Sequence, residues 1–536
     1  MKQKKESGIS AGRLPTLRWA AGGLLILGLL SRILGLVREI LTAGLFGVSS
    51  ELDALFLGLA IPTAITVAVG GSLVRAGVAT AAGLAVEQQW GLARYATDRW
   101  LRRGVPLSLG LAVGCVGLAL LLQNNTETPR MPLVLGALLG SLTLLGVLIS
   151  GVYAGIANAR GQHVGAGLIP LFHNGVIIAT MVVLWEPLGV YSLLLGFFLA
   201  EWLQIPGYWW AMGKEVRTAR PARATEYWSV WMERFVPALV ASILVGTNLV
   251  VDRAFAVQLE PGSAAALVYA EKLVNLPAGL LGMALAVPLF TRVSRYRMQG
   301  REKDVAAVVM LGVRLMLLGG IPMAVLLWFL AEPLIAVLLQ RGAFDGAAVE
   351  LCAEAFRGLA WGIPFFGTSF LLLSAALTVE RPWRVVRWLG LSVVLNAVLN
   401  ALLVVPFGLA GIGLSGSLVA VFRVLVLLRL VAPGILKTKS LWASLGRIVL
   451  GSIPGALLLG LGLPGLEGVM PPGWSGKFLM VMGGGVLFLV GSLVMVPVWR
   501  REVVSLGVLR NRVARANLGE KSKVPTFEAA ENSKDS

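Results

Sequence analysis

Residues 19–46 read WAAGGLLILGLLSRILGLVREILTAGLF. A helix needs about 20 mostly apolar residues to cross the hydrocarbon core of a bilayer, and this stretch is long enough. Its apolar residues run continuously and do not alternate in the dyads of a membrane barrel strand. Met1-Lys2-Gln3-Lys4-Lys5 precedes it, which has the outline of a secretion signal. The apolar run continues past Arg32, however, and no small-residue cleavage site follows, so the stretch is expected to stay as a first transmembrane helix.

The rest of the chain repeats the pattern. Of 536 residues, 57% are hydrophobic and 14% charged, and the mean hydropathy is +0.81. A soluble domain carries about 25% charged residues. The composition excludes an ordinary globular enzyme, a coiled coil and a disordered chain, and indicates an all-α integral membrane protein. About fourteen stretches qualify as spans by length and apolarity. They fall at 19–46, 54–80, 104–123, 132–157, 164–184, 188–212, 235–258, 266–290, 305–330, 353–378, 384–405, 409–432, 443–463 and 477–498. The chain is thereby divided into a basic N-terminus (1–18), a first lobe (19–212), a polar linker (213–234), a second lobe (235–432), a final helix pair (433–498) and a polar tail (499–536) of disordered composition.

Lys and Arg outnumber Asp and Glu by 46 to 28, a formal charge of +18. The cations sit in short clusters between apolar stretches, which is the pattern of membrane topology and not of nucleic-acid binding. Lys2, Lys4, Lys5, Arg13 and Arg18 precede the first stretch, and Arg94, Arg99, Arg102 and Arg103 follow the second. Arg160, then Lys214, Arg217, Arg220 and Arg223, then Arg292, Arg295, Arg297, Arg301 and Lys303 occupy every second connection after that. Arg381 and Arg384, Arg429, Lys437 and Lys439, and finally Arg500, Arg501, Arg510 and Arg512 complete the series. The alternate connections hold only Arg130, Arg341 and the flanking Lys477. By the positive-inside rule, both termini are expected in the cytoplasm.

An internal repeat is visible. Arg38 precedes Pro62 by 24 residues and Arg253 precedes Pro277 by the same 24. The fifth and eleventh stretches each hold a central asparagine, Asn174 and Asn396. Repeats of this kind commonly place a transport site between two lobes. Pro62, Pro170, Pro206, Pro277, Pro322 and Pro364 lie in or near helix cores. There they kink the helix and free a backbone carbonyl, either as hinges or as ordinary bends.

Ionisable groups inside spans are costly and point to function. The first span holds Arg32, Arg38 and Glu39; Arg32 and Glu39 are seven apart and share a face. Arg38 is turned from Arg32 by about 120° at 100° per residue. Asp53 opens the second span, Glu271 and Lys272 lie in the eighth, and Arg314 lies in the ninth. Arginine and lysine lining a cavity would hold an anionic head group, phosphate above all. The competing reading is an ion pair between helices, and Arg253, Arg357 and Arg423 are assigned to it. Cys115 and Cys352 form no metal or disulfide pattern. His163 and His173 belong to no metal spacing or nucleophile motif, so no enzyme chemistry is expected.

The order of these residues resembles the MurJ/MviN family of lipid II flippases in the MOP exporter superfamily. Ser31-Arg32-Ile33-Leu34-Gly35-Leu36-Val37-Arg38-Glu39 is similar to its opening motif, and Leu45-Phe46-Gly47, Asp53-Ala54-Leu55-Phe56 and Ile61-Pro62 continue it. Asn158-Ala159-Arg160-Gly161, Tyr269-Ala270-Glu271-Lys272-Leu273, Pro277-Ala278-Gly279-Leu280-Leu281-Gly282, Arg314-Leu315 and Arg341-Gly342-Ala343-Phe344-Asp345 follow in order. The resemblance implies two six-helix lobes in a V shape and a terminal helix pair that shapes a groove for a lipid tail. The implied task is moving undecaprenyl-diphosphate-linked peptidoglycan precursor from the inner to the outer leaflet of the bacterial cytoplasmic membrane. Arg32, Arg38 and Asp53 match positions important in the family; Lys272 stands where arginine is usual and Glu271 where aspartate is frequent. After Pro62 the family typically has an Asn and a pair of arginines, whereas this chain has Thr63-Ala64-Ile65-Thr66-Val67, and Gly70-Gly71 stands where the resemblance implies an acidic neighbourhood. Arg75, one to two turns on, is the candidate replacement.

The substrate-site candidates are therefore Arg32, Arg38, Lys272, Asp53, Glu39, Glu271 and Arg314. No cofactor is expected. Membrane potential, at about 2.3 kcal/mol per charge per 100 mV, Na+ and H+ are the candidate energy sources. Expected partners are the lipid-linked saccharide and membrane lipids, with peptidoglycan-synthesis or division proteins as further candidates. The alternatives are an exporter of another polyprenyl-linked saccharide or a small molecule, and a non-transporting scaffold that binds a lipid-linked precursor.

Overall fold

The computed structural model describes residues 15–81, 84, 86–123, 129–159, 163–212, 224–376, 382–493, 495, 497–507 and 509. The N-terminal cations through Arg13, Arg160, the linker cations Lys214, Arg217, Arg220 and Arg223, Arg381, and the tail from Arg510 lie outside the described residues.

Every regular element among the described residues is a helix. The first six are α1 (Pro15–Phe46), α2 (Ser50–Ala81), α3 (Val86–Gln123), α4 (Arg130–Ala159), α5 (His163–Leu188) and α6 (Tyr191–Met212). Then come α7 (Ala224–Ala256), α8 (Ser263–Met298), α9 (Glu302–Phe329), α10 (Ala331–Leu339), α11 (Gly346–Ala360) and α12 (Ile363–Ala376). The last are α13 (Pro382–Val431), α14 (Lys439–Val469) and α15 (Trp474–Leu493), followed by a helical stretch at 497–507. Helices suit this composition because backbone groups in hydrocarbon must be bonded within the segment.

Among the described residues, ten helices are long and apolar enough to cross a membrane, or eleven if α11 and α12, bent by 54°, form one broken span. Fourteen were expected. One difference is α13, which joins the expected stretches 384–405 and 409–432. It breaks at Gly408, whose φ of 51° and ψ of −132° are not helical. Pro406 just before it cannot donate to the ladder, and glycine alone takes this backbone geometry at little cost. Glu354 of α11 sits at the break and accepts the Ala410 N–H at 3.1 Å, so the second segment starts capped.

Two basic connections prove to be helix. Arg94, Arg99, Arg102 and Arg103 lie on α3, which is about 57 Å long at 1.5 Å per residue, well beyond a ~30 Å hydrocarbon core. Its polar half is tied to the start of α7 by aromatic contacts. The Arg99 guanidinium lies 5.7 Å from the Trp228 ring centre, and Trp100 meets Trp228 and Phe235 edge-on at 5.7 and 5.9 Å. Arg292, Arg295 and Arg297 likewise extend α8. Arg297 donates to the Val431 carbonyl at the end of α13 at 2.8 Å, a favourable place for a cation.

The chain divides into two compact units. The first holds residues up to Thr42, Ile65–Gly117 and Ala137–Val236, and the second holds Ala43–Ala64, Leu118–Gly136 and Pro237 onward. The stretch 43–64, expected in the first lobe, thus groups with the second unit. The cause is a close backbone contact. Ala343 N–H donates to Gly44 O at 2.9 Å, and Tyr269 Oη donates to Gly47 O at 3.2 Å. Gly47 and Gly342 take φ of 60° and 57° there, and a Cβ on Gly342 would collide with the Gly44 carbonyl.

Each unit repeats one device. In the first, Asn174 of α5 donates to the Ser31 carbonyl of α1 at 3.4 Å. In the second, Asn396 of α13 donates to the Asn248 carbonyl of α7 at 3.2 Å and to Asp252 Oδ1 at 2.8 Å. Asn400 adds a second bond to Asp252 Oδ1 at 2.7 Å. The matched asparagines of the sequence repeat therefore do the same work, each bonding the fifth helix of its set to the first.

One expectation is corrected at the C-terminal end. Residues 499–507 were expected in a disordered polar tail, yet they are helical and Glu502 is fully buried. Its carboxylate bonds Arg314 Nη2 at 2.5 Å, Arg447 Nη2 at 2.7 Å and Ser444 Oγ at 2.5 Å. Polarity marks this segment because it supplies an ion cluster.

Candidate functional site

A cavity of about 530 Å³ lies within the first unit. Gly35 and Arg38 of α1, Thr66, Val67, Gly70 and Gly71 of α2, and Ser150 of α4 form part of its wall. His173 and Asn174 of α5 and Glu201, Gln204 and Tyr208 of α6 supply most of its polar groups.

Arg38 is its central cation. Its Nη1 donates to Asn174 Oδ1 at 2.9 Å, while Nε and Nη2 donate to Glu39 Oε1 at 3.0 and 2.5 Å. The guanidinium also lies 5.5 Å from the Phe197 ring centre. A planar fork fixed in this way is pre-oriented for an oxyanion. Glu201 is the cavity's acid. Its Oε1 accepts from Ser150 Oγ at 3.3 Å and from the Gln204 amide, and its Oε2 lies 3.9 Å from His173 Nδ1. Gln204 also reaches Ser150 Oγ at 3.4 Å, which closes the network.

The seven candidates do not assemble as one group. Arg38 lines this cavity; Arg32 is half-buried on α1 and is not among its lining residues. Glu39 was placed on the Arg32 face by its spacing, but its carboxylate bonds Arg38. Adjacent long side chains can turn toward each other, so backbone angle alone does not decide their partners. Asp53 caps the start of α8, accepting Gly262 N–H at 2.6 Å and Ala265 N–H at 2.7 Å. Lys272 belongs to the second unit and lies 5.4 Å from the Phe56 ring centre. Glu271 lies 3.7 Å from Arg253, as an interhelical ion pair would. Arg314 is 4% exposed and engaged by Glu502, Ser444 and Ser505. Its place is the ion cluster beside α14, away from the lining of this cavity.

Sequence reasoning passed over Glu201, Gln204 and Ser150. The signal for Glu201 was present, because it is an ionisable residue inside the apolar run of α6. Gln204 and Ser150 carry no charge and left no such mark. The structure also locates the departure in α2. Thr66, Val67, Gly70 and Gly71 of that stretch all line the cavity. Arg75 folds back one turn and donates to Ser72 at 3.2 Å. Its Nη1 lies 3.4 Å from where a Cβ of Gly71 would be, so the glycine leaves the guanidinium room beside the wall.

Comparison with known proteins agrees with this architecture. The family model described as lipid II flippase MurJ matches residues 112–480. A relative from Buchnera aphidicola subsp. Acyrthosiphon pisum (strain APS), named a probable lipid II flippase MurJ, is 26% identical over 440 residues, covering 75% of this chain and 81% of its own. A relative of the same name from Vibrio cholerae serotype O1 (strain ATCC 39315 / El Tor Inaba N16961) is 26% identical over 463 residues, 80% of this chain and 86% of its own. A solved structure titled lipid II flippase MurJ, inward closed conformation, superposes with a TM-score of 0.70 at 20% identity, over 90% of this chain and 99% of that one. The family model spans well over half of the sequence, the helical fold is shared, and the chain belongs to the MurJ family of lipid II flippases, multi-pass membrane transporters of a lipid-linked substrate.

Proposed function

We propose that the chain carries the head group of undecaprenyl-diphosphate-linked peptidoglycan precursor through the polar cavity of its first unit by alternating access, from the inner to the outer leaflet. The single observation behind this reading is Arg38, a fixed guanidinium opening on a 530 Å³ cavity inside an otherwise apolar helical bundle. A diphosphate with sugars cannot enter hydrocarbon unaided, because its charges and hydroxyls would be stripped of partners. Here Arg38 receives the phosphate, with Glu39 holding the guanidinium until it arrives. Asn174, Gln204, Ser150 and Tyr208 offer hydrogen bonds to the sugars, and the prenyl tail stays in lipid. Arg75 supplies the cation that α2 otherwise lacks.

With both termini cytoplasmic, the turns at 44–48, 260–265 and 341–343 face outward. Asp53 then holds the outer side shut through two bonds to the α8 N-terminus, a helix cap worth about 1 kcal/mol in all. Opening outward breaks them. Enzymes that polymerise the precursor on the outer face are the partners this reading implies.

The test is rescue of a bacterial strain depleted of its lipid II flippase. The wild-type chain should restore growth, and Arg38→Ala should fail at equal membrane abundance. Full rescue by Arg38→Ala would remove the head-group site from Arg38.

A further inference from the structure

Glu201 is an acid set into an apolar helix, and ion pairing with a fixed cation does not account for it. Its Oε1 is satisfied by Ser150 and Gln204. Its Oε2 faces His173 Nδ1 across 3.9 Å, slightly beyond hydrogen-bond reach. Both side chains border the cavity, and both retain limited access to it, at 14% and 24% exposure. An acid and an imidazole one small movement apart, with access to a cavity, can hold and pass a single proton.

The surroundings tie this pair to the anion site. Arg38 of α1 donates to Asn174, the residue next to His173. From α6, Tyr208 lines the same wall, and from α2 the Arg75 guanidinium lies beside Gly71. α4 contributes Ser150 and no charged group to the lining. With the cavity empty, Arg38 opposes a second positive charge on this wall. An oxyanion on Arg38 cancels that opposition and adds negative charge within the low-dielectric cavity, where charges interact strongly.

We propose that Glu201 and His173 form a proton site that loads when an anionic head group binds in the same cavity. The inference rests on the head-group reading and extends it to the coupling ion. The proton comes from water in the open cavity, resides between the Glu201 carboxylate and the His173 imidazole, and returns to water when the anion leaves. No covalent bond to the substrate forms. One unit of the anion's charge is thereby neutralised during the movement.

Calorimetry on the full chain in detergent tests this, using a short-chain polyprenyl diphosphate as the probe. Binding is measured in buffers of different ionisation enthalpy, which reports protons taken up. The wild type should take up protons on binding. Glu201→Gln keeps the shape and the amide contacts but cannot titrate, and it should bind with no uptake. His173→Gln should also lose the uptake. Wild-type uptake in either variant overturns the proposal, so one folded variant suffices to decide it. If the wild type binds no polyprenyl diphosphate, the head-group reading has failed, and the pair is judged separately by nitrogen NMR of His173. Glu201→Gln should then move the imidazole's titration midpoint; an unmoved midpoint overturns the pair as well.

Discussion

Replacing Glu502 with alanine should unfold the C-terminal end of the second unit more than any change on an exposed helix face. The Glu502 side chain is fully buried and the Arg314 side chain is 5% exposed. The carboxylate takes bonds from Arg314 at 2.5 and 3.0 Å, from Arg447 at 2.7 and 2.9 Å and from Ser444 at 2.5 Å. Removing it leaves the Arg314 charge buried without its counter-ion, which costs about 3–5 kcal/mol. Arg447, 29% exposed, can turn to water and adds little. Replacing Arg314 and Glu502 together by methionine should cost less than the two single changes summed, by about 2 kcal/mol, because no unpaired charge remains. The pH dependence has a definite sign. Burial pushes the carboxyl up, but the bonds from Ser444, Arg314 and Arg447 and the Arg314 charge outweigh it, and its pKa falls below the ordinary 4.5. A carboxyl depressed in the folded state contributes its full stability above 4.5 and loses it as the pH falls from there through the folded value. Unfolding of the purified protein in mixed micelles, followed by tryptophan fluorescence as denaturing detergent is added, reads all of these. A Glu502→Ala protein within about 0.5 kcal/mol of wild type, the range of an ordinary surface change, would refute the buried cluster.

Three further outcomes are expected. Arg38→Lys should retain part of the rescue lost in Arg38→Ala, since lysine keeps the charge but not the bidentate fork; equal failure of both at normal abundance would mean that geometry alone matters. Asp53→Ala should lower stability by about 1 kcal/mol through loss of the α8 cap, and cysteine labelling near residue 262 should rise as that end loosens; unchanged labelling would contradict the closing role. Gly342→Ala should cut the amount of folded protein sharply, because its φ of 57° and the Gly44 carbonyl leave no space for a Cβ; normal abundance in a membrane blot would disprove the close approach.

Composition, apolar run length and the alternation of cations were enough to identify a helical membrane protein, since the bilayer imposes those features on any chain that spans it. The opening motif and its ordered continuations identified the family for the same reason of local legibility. Arg38 stood out as a candidate because a charge in an apolar run is conspicuous without any knowledge of its neighbours. What that charge does depends on partners far along the chain, and only the tertiary structure brings them near. Arg38 meets Asn174 across 136 positions, Arg314 meets Glu502 across 188, and Asp53 meets Gly262 across 209. Three residues of similar appearance in the sequence therefore became a cavity cation, a buried structural pair and a helix cap. The cavity was hidden for a further reason. Its wall owes as much to Gly70, Gly71 and Ser150 as to any charge, and small or neutral residues declare themselves only through the space left when helices pack.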